Sequence, residues 1–352
     1  MRNAIYKKAV STVIIGQPHP DKSIGLVREA IMRKEAFEAL LGSLGRLTPG
    51  QRQAVCERIQ TLETGEGAGR EIEGVLPGIP PCPSCGSGLC CRWGHMSGLQ
   101  RFRCKNCRRS FNRLSGTPLA HLHRKDCWLA YSECMEQSLT LRASAKLIGV
   151  NKNTTFRWRH RFLNGISEDQ AEDLEGIVEI DETMFRESFK GKRKLPRPAR
   201  KRGTPAAQRG RSKEWINAVT VRDRAGDTRE LVLKDFNTQA LIEDLAFNLR
   251  PDAILCTDGS PVYKAFATAL SLVHESVNLS AGVRVRQAFH VQNVNAYHSR
   301  LKAWIAHFQG VGTHYLPNYL GWHRLLDGHT ATLTPSKLIR VSLGLDHYQR
   351  IS

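Results

Sequence analysis

The sequence predicts a multidomain α/β chain, and three patterns along its 352 residues support that prediction. Two C-x-x-C pairs lie between Cys82 and Cys107, a helix–turn–helix pattern covers residues 139–162, and short β-rich runs alternate with helical ones from Gly176 onward. Strands that come first, followed by strand–helix repeats, are typical of a mixed sheet. The chain is also long for one core, so two or three domains are expected.

The charge balance indicates a polyanionic partner. Lys and Arg together number 52 against 33 Asp and Glu, which gives a formal net charge of +19. Such a chain is attracted to nucleic acid and releases its counterions on binding. The apolar stretches are too short to cross a bilayer, and residues 9–16 lack the length and cleavage pattern of a signal peptide. We therefore expect a cytoplasmic, nucleoid-associated protein that binds double-stranded DNA and no membrane.

The first 75 residues carry helical patterns at residues 24–44 and 48–62, the second with Pro49 in its first turn after a Thr48 cap. A glycine-rich stretch at 65–69 and a proline-rich one at 77–81 then predict a domain boundary.

The cysteine spacing predicts one structural Zn²⁺. Two C-x-x-C pairs, separated by eighteen residues, can present four thiolates tetrahedrally, and these are Cys82, Cys85, Cys104 and Cys107. A redox dithiol is the alternative, although it needs only one such pair. Residues 100–103 and 108–111 are expected to form ribbon strands with a basic outer face. Three further residues in the intervening loop are expected to pack or face solvent, namely Cys90, Cys91 and His95.

Behind the ribbon, residues 139–148, a turn at 149–151 and residues 152–162 form the helix–turn–helix pattern. Asn151 is a suitable cap for the second helix, and Phe156 or Trp158 is expected to pack inward. The side chains expected to reach base edges are Asn153, Thr154, Arg157 and Arg159. An ordinary helical hairpin with its charges in water is the alternative.

Two aspartates predict a site for divalent cations. Asp181 lies within an apolar strand, where an unpaired carboxylate is costly, and Asp258 ends the apolar run 253–257. Carboxylates at strand ends hold two Mg²⁺ or Mn²⁺ ions about 4 Å apart for attack on a phosphodiester. For Asp258 the alternative is a helix cap. Glu182 is expected to point to the opposite face of the strand.

Between the first two predicted strands, residues 186–213 hold twelve Lys or Arg and one acidic residue. This composition predicts a mobile basic loop that grips the DNA backbone without sequence preference. Its candidate DNA-binding residues are Lys192, Arg193, Lys194, Arg200, Lys201 and Arg202.

The order of these motifs, followed by the string Phe289 to Lys302, resembles the zinc-ribbon branch of bacterial insertion-sequence DDE transposases over residues 80–325. The resemblance implies an RNase H-like catalytic domain, with the first aspartate (Asp181) on the first strand and the second (Asp258) after the fourth. The family's third acidic position is occupied by Asn295. Some relatives in this branch are similar in carrying Asn there with a Lys seven residues on, here Lys302.

Asn295, Ser299 and Lys302 share one face of a helix, which can point at the active site. The Asn295 carbonyl can ligate Mg²⁺, and Lys302 can hold a phosphate. A polar face turned to solvent is the alternative. None of the later carboxylates, Glu275, Asp327 and Asp346, lies where the third acid should be. His290 is a secondary candidate for orienting a metal-bound water or a phosphate.

The resulting domain scheme is an N-terminal helical region (1–75), a zinc ribbon (76–118), a helix–turn–helix region (119–170), an RNase H-like catalytic domain (171–330) and a C-terminal tail (331–352). The function expected is metal-dependent DNA cleavage and strand transfer at insertion-sequence ends. DNA-bound homodimers or higher oligomers are expected, acting on terminal inverted repeats and target DNA. One rival is a DNA-binding regulator with an inactive nuclease core. Another is a nuclease or resolvase that acts on DNA structure.

Overall fold

The computed structural model describes residues 34–75, 78–201, 206, 212, 214–277, 288–329 and 332–344. Its contacts divide the chain into two units, Met1–Glu57 and Arg58–Ser352. Among the described residues, no helix is both long and apolar enough to cross a membrane.

The first unit contains helix α1 (Lys34–Leu44) and the start of α2 (Pro49–Gly74). The amide of Gln51 donates to Thr48 Oγ1 and the amide of Thr48 donates to Gln51 Oε1, so a reciprocal box caps α2 as the sequence predicted. The expected helical residues 24–33 lie outside the described residues.

Helix α2 does not stop at the glycine-rich stretch, so the predicted break at 65–69 is wrong. The later turns of α2 bury Ala68 and Ile72 in the core of the second unit. A Cβ on Gly67 would lie 2.6 Å from Leu129 Cδ1, so this glycine permits close packing within a helix. Burial of the apolar side outweighs the poor helix propensity of glycine.

A small antiparallel sheet of β1 (Cys90–Met96), β2 (Leu99–Cys104) and β3 (Ser110–Asn112) follows. Phe102 pairs with Phe111 across β2 and β3, and their rings are 5.6 Å apart on the buried side. The expected ribbon strands are present. The stretch that holds Cys90, Cys91 and His95, expected as a loop, is strand β1.

Three helices come next, α3 (Trp128–Glu136), α4 (Leu141–Ile148) and α5 (Lys152–Glu168). Gly149 ends α4 with a positive φ of 67°, a conformation that glycine adopts without a Cβ penalty. The side chain of Asn151 accepts the amide of Asn153 and caps α5 as predicted. Helix α5 is six residues longer than expected because its last turns are buried through Phe162 and Ile166.

The predicted mixed sheet is confirmed. Its five strands in chain order are β4 (Ile177–Arg186), β5 (Trp215–Asp223), β6 (Thr228–Leu233), β7 (Ile254–Thr257) and β8 (Val273–Ser276). Their spatial order is β6-β5-β4-β7-β8. The pairs β4–β5 and β5–β6 are antiparallel, whereas β4–β7 and β7–β8 are parallel. The sequence did not predict β8, which is short and half exposed.

The remaining helices are α6 (Thr238–Leu245), α7 (Pro261–Ala269), α8 (Gln292–Ala306), α9 (Leu316–Gly328) and α10 (Pro335–Ser342). In α10, Leu338 and Ile339 are fully buried beside Phe162 and Trp322. The described part of the expected C-terminal tail is therefore a core helix, because its apolar face completes the core of the helical layer.

Two glycines allow α5 to approach its neighbours closely. A Cβ on Gly165 of α5 would lie 2.7 Å from the carbonyl carbon of Ser342, and one on Gly321 of α9 would lie 2.8 Å from the Cα of Ser167. At both glycines the backbone of the neighbouring helix leaves no space for the methyl group of an alanine.

We predict that Gly165→Ala lowers the free energy of unfolding by about 1–3 kcal/mol, because α5 and α10 must separate to admit the methyl group. Gly328→Ala is the matched control, since nothing lies within 4 Å of a Cβ there. Urea denaturation of both variants measures the difference. Equal stability of the two variants would contradict the close approach.

Candidate metal sites and nucleic-acid interface

The four predicted cysteines of the small sheet come together. One ligand atom from each of Cys82, Cys85, Cys104 and Cys107 lies within 4.8 Å of all the others. The Sγ atoms of Cys82 and Cys107 are 3.5 Å apart, and those of Cys85 and Cys104 are 3.7 Å apart. A zinc–sulfur bond of about 2.3 Å implies a tetrahedral sulfur–sulfur edge of about 3.8 Å, so the cluster has the size that can hold Zn²⁺.

The backbone of the second knuckle favours a metal-binding thiolate. A hydrogen bond from the amide of Cys107 lowers the pKa of the Cys104 thiol to about 6, against the opposing effect of burial. Cys90 and Cys91 instead donate to the carbonyl oxygens of Ser87 and Arg103. They stay outside the cluster, as the sequence predicted.

The second candidate site lies where β4 and β7 run side by side. The parallel register ends at the pair Glu179–Cys256, and Asp181 and Asp258 each lie two residues further along the chain. Asp181 is still within β4, whereas Asp258 directly follows the last residue of β7, Thr257. Both aspartates therefore lie just beyond the point where the β4–β7 ladder ends. Asp258 Oδ1 accepts the amide of Ser260, two residues on, but Ser260 is itself the N-cap of α7, so this contact lies in the turn before the helix and is not a helix cap.

These two carboxylates lack a basic partner among the residues that the structure describes, where neither forms an ion pair with Lys or Arg. His298 lies beside Asp181, with its Nδ1 3.6 Å from Asp181 Oδ2. Carboxylates that pair with no Lys or Arg in the described part of the chain suit a divalent cation. This donor chemistry fits the Mg²⁺ or Mn²⁺ expected from the sequence.

Helix α8 contacts the sheet beside Asp181 through His298. His298 is buried, and its Nε2 is 3.0 Å from Thr220 Oγ1 on β5, so this residue faces the sheet. Asn295 and Lys302 lie three residues before and four residues after His298, on the same side of the helix, and both are exposed. The hydroxyl of Ser299 donates to the carbonyl of Asn295.

Glu179 occupies the buried end of the same strand face. Its side chain is 1% exposed, and its Oε1 lies 2.7 Å from Arg224 Nη1 and 3.4 Å from His290 Nδ1. His290, the secondary candidate, therefore contacts Glu179 and Arg224. Glu182 points to the other face, as expected, where Tyr263 donates to its Oε2 at 2.6 Å.

The sequence predicted no site role for Glu179 or His298, although Glu179 lies on the same strand as Asp181 and His298 on the same helix as Asn295. Glu179 is two residues from Asp181, and His298 is one turn from Asn295. Glu179 shares a strand face with Asp181, and His298 shares a helix face with Asn295. The two-residue period of the strand and the helical period are therefore the signals that point to them. Only the packing of α8 on the sheet shows which carboxylate each residue meets.

On the helix pair, Asn153 and Arg157 are exposed and Thr154 is half-buried, whereas Trp158 packs inward and Phe156 is exposed. The expectation that Arg159 contacts DNA is wrong. Arg159 is fully buried, where its guanidinium donates to the carbonyl of Leu139 and lies 4.6 Å from the ring of Trp322. Arg159 lies next to Trp158 on the buried side of α5. The pattern of charges in the sequence did not reveal this burial.

The described part of the basic insertion, residues 186–201, is anchored to the protein, which corrects the expectation of a mobile loop there. Ser188 and Thr313 exchange two hydrogen bonds of 2.8 Å, and Lys190 Nζ donates to the carbonyl of Gly310 at 2.6 Å. Arg200 forms a 2.6 Å ion pair with Glu214. These local partners order a segment whose composition alone indicates disorder.

The candidate DNA-binding residues of this insertion differ in exposure. Lys192, Arg193, Lys194 and Lys201 are exposed, whereas Arg200 is half-buried in its ion pair. Arg202 lies outside the described residues.

We predict that the purified chain retains about one zinc ion, held by the four cysteines. Cys104→Ser should lose the metal because a hydroxyl is a poor ligand for Zn²⁺, while Cys56→Ser, at an exposed cysteine outside the cluster, should keep it. Atomic emission after dialysis measures the zinc content. Equal zinc in both variants would refute the assignment.

Comparisons with known proteins agree with this arrangement. Residues 173–322 match the family model of the ISXO2-like transposase domain. A protein of Halobacterium salinarum described as an uncharacterized protein in transposable element ISH50 is 28% identical over 243 residues, which cover 68% of this chain and 82% of that protein.

A solved structure, the crystal structure of a pre-cleavage Mos1 transpososome, shares 13% identity over 61% of this chain and 78% of that chain, with a TM-score of 0.17. That similarity is too low to carry a structural argument. The matched segment, residues 173–322, contains β4 to β8 and the whole of α8, and with them every residue of the candidate carboxylate site. The chain is therefore similar to insertion-sequence transposases, and its match to the ISXO2-like transposase domain spans residues 173–322.

Proposed function

We propose that this chain is a transposase that catalyses metal-dependent DNA cleavage and strand transfer at insertion-sequence ends, with Asp181, Asp258 and Asn295 as the metal-binding side chains. The observation that carries the proposal is the parallel pairing of β4 with β7, because Asp181 and Asp258 each lie two residues beyond its last pair, Glu179–Cys256, and neither pairs with Lys or Arg among the described residues. The strand order supports an RNase H-like sheet, with three antiparallel strands followed by two parallel ones.

The residues around the site have distinct parts in this reaction. The two carboxylates supply negative charge, and the amide oxygen of Asn295 adds a ligand without adding charge. Lys302, exposed on the same helix face, holds a neighbouring phosphate of the DNA as a point charge. Asp181, Asp258 and Asn295 would hold two divalent ions, whose chemistry would be the activation of a water molecule and later of a DNA 3′-hydroxyl, and the stabilisation of the leaving oxygen.

His298 holds the Asp181 carboxylate from the protein side. With Nε2 against Thr220 and Nδ1 near Asp181, the ring is fixed between β5 and β4. A ligand whose orientation is set by a buried neighbour loses less freedom when it binds a cation.

The cysteine cluster and the helix pair deliver the DNA. We propose that the cluster is a structural zinc ribbon and that α4 and α5 form a helix–turn–helix, with Asn153, Thr154 and Arg157 toward base edges in the terminal inverted repeats. The exposed residues Lys192, Arg193, Lys194 and Lys201 contact the phosphate backbone of flanking or target DNA. Two protomers act together, because two DNA ends join one target.

The test is a cleavage and strand-joining assay on the element's own terminal DNA in Mg²⁺ or Mn²⁺. Asp181→Asn, Asp258→Ala and Asn295→Ala should each reduce cleavage by about a hundredfold or more while DNA binding persists, because the metal ligands are lost. Asp252→Ala and Asn293→Ala, at exposed positions near Asp258 and Asn295, are matched controls and should cleave normally. Tight DNA binding without cleavage by the unmodified chain in either metal would favour a regulator with an inactive core.

A second prediction concerns DNA recognition. Arg157→Ala should weaken binding to terminal DNA by about 1–3 kcal/mol and leave binding to unrelated DNA nearly unchanged, since a base contact is lost. Arg193→Ala should weaken binding to both DNAs and reduce the salt slope by about 1, as expected for a phosphate contact. Fluorescence anisotropy across a salt series measures both. Equal losses on the two DNAs for Arg157→Ala would show that this residue reads no sequence.

A further inference from the structure

Helix α8 begins without a side-chain cap of its own. Its N-cap is Val291, which has no polar side-chain atom, and the first turn of a helix leaves backbone amides without an intrahelical acceptor. A side chain of strand β4 supplies the acceptor for one of these amides. Glu179 Oε2 accepts the amide of Val294 at 3.0 Å across 115 positions of the chain.

The other oxygen of this carboxylate forms an ion pair with Arg224 and has no hydrogen-bond partner among the described residues. Arg224 Nη1 lies 2.7 Å from Glu179 Oε1, and its Nη2 donates to the carbonyl of Ala288 at 2.9 Å. Arg224 Nη1 also lies 2.9 Å from His290 Nε2. One guanidinium, at the turn after β5, therefore contacts both the buried carboxylate and the segment that leads into α8.

The two ends of this contact lie next to the candidate ligands. Glu179 is two residues before Asp181 on the same face of β4, and Val294 immediately precedes Asn295. A shift of the first turn of α8 along the sheet would move Asn295 relative to Asp181 by the same amount. The carboxylate is also favourably placed by charge, since a negative group at a helix N-terminus is stabilised by the helix dipole.

We propose that Glu179 is a positioning residue for metal binding: braced by Arg224, its carboxylate caps α8 from β4 and sets the place of Asn295 relative to Asp181. The proposal rests on the proposed function for its effect on the reaction, while the capping contact itself is independent of it. A buried carboxylate is costly to desolvate. Here the ion pair with Arg224 and the hydrogen bond from the amide of Val294 offset that cost. The Val294 amide belongs to α8, the helix that the carboxylate on β4 is proposed to position.

The experiment compares Glu179→Ala, Glu179→Gln and Arg224→Met with the unmodified full-length chain. Hydrogen–deuterium exchange of peptides covering residues 288–298, without metal or DNA, reports whether the first turn of α8 is held. The Mn²⁺ concentration for half-maximal cleavage of terminal DNA reports the alignment of the ligands. Glu230→Gln is the matched control, because Glu230 is an equally buried carboxylate that pairs with Arg324 and the Tyr297 hydroxyl instead of a backbone amide of α8.

We expect Glu179→Ala to accelerate exchange in the first turn of α8 and to raise the required Mn²⁺ concentration about tenfold or more, the range for a partner that orients a metal ligand. Glu179→Gln should restore part of both, because its amide oxygen still accepts from Val294. Arg224→Met should give an intermediate effect and supplies the same readouts if Glu179→Ala does not fold. Glu230→Gln should lower the melting temperature without altering the Mn²⁺ dependence.

Unchanged exchange at residues 288–298 in Glu179→Ala and Arg224→Met would overturn the capping role. Faster exchange with an unaltered Mn²⁺ requirement would overturn the positioning role and leave a structural cap. If the unmodified chain cleaves no DNA in any metal, the proposed function fails. In that case the exchange experiment still decides the capping contact, and direct Mn²⁺ titration followed by electron paramagnetic resonance decides the positioning role.

Discussion

The parallel pairing of β4 with β7 is the constraint on which the candidate site depends. It joins two segments that lie far apart in the chain and fixes their register up to the pair Glu179–Cys256, two residues before Asp181 and Asp258. Parallel strands cannot be joined by a tight hairpin, and here β5, β6 and α6 form the connection. A slip of one residue would turn one of the aspartates to the opposite face of the sheet.

Polar groups buried on the sheet connect it to the helices around it. On one side, Glu179 and His298 join β4 to α8. On the same face of the sheet, Arg324 of α9 pairs with Glu230 of β6 at 2.8 Å and donates to the carbonyl of Asp169, just beyond the end of α5. The guanidinium of Arg324 thus links α5, the helix proposed to read DNA, to the sheet that carries the proposed catalytic site. Desolvation by burial raises the pKa of Glu230, against the opposing effect of Arg324.

Close backbone approach gives this connection its rigidity. Gly165 and Gly321 bring α5 against α10 and α9 with no side chain between the backbones at these points. Helices packed at such short distances cannot slide without steric clash, since protein interiors are close-packed. The position of α5, the helix proposed to read DNA, relative to the carboxylates is therefore set by packing as well as by polar contacts.

The sequence by itself determined the elements whose signals are local. The spacing of Cys82, Cys85, Cys104 and Cys107 defined the cluster, the apolar runs located β4 to β7, and Thr48 and Asn151 marked helix starts, because cysteine knuckles, strand patterns and caps act over a few residues. The tertiary structure alone decided that Arg159 is buried, that residues 65–69 continue a helix, that residues 186–201 are anchored, and that Glu179 and His298 meet α8 and Asp181. Each of these depends on a partner many residues away in the chain, such as Trp322, Leu129, Thr313 or Val294, and no local pattern encodes which distant surface a side chain will meet.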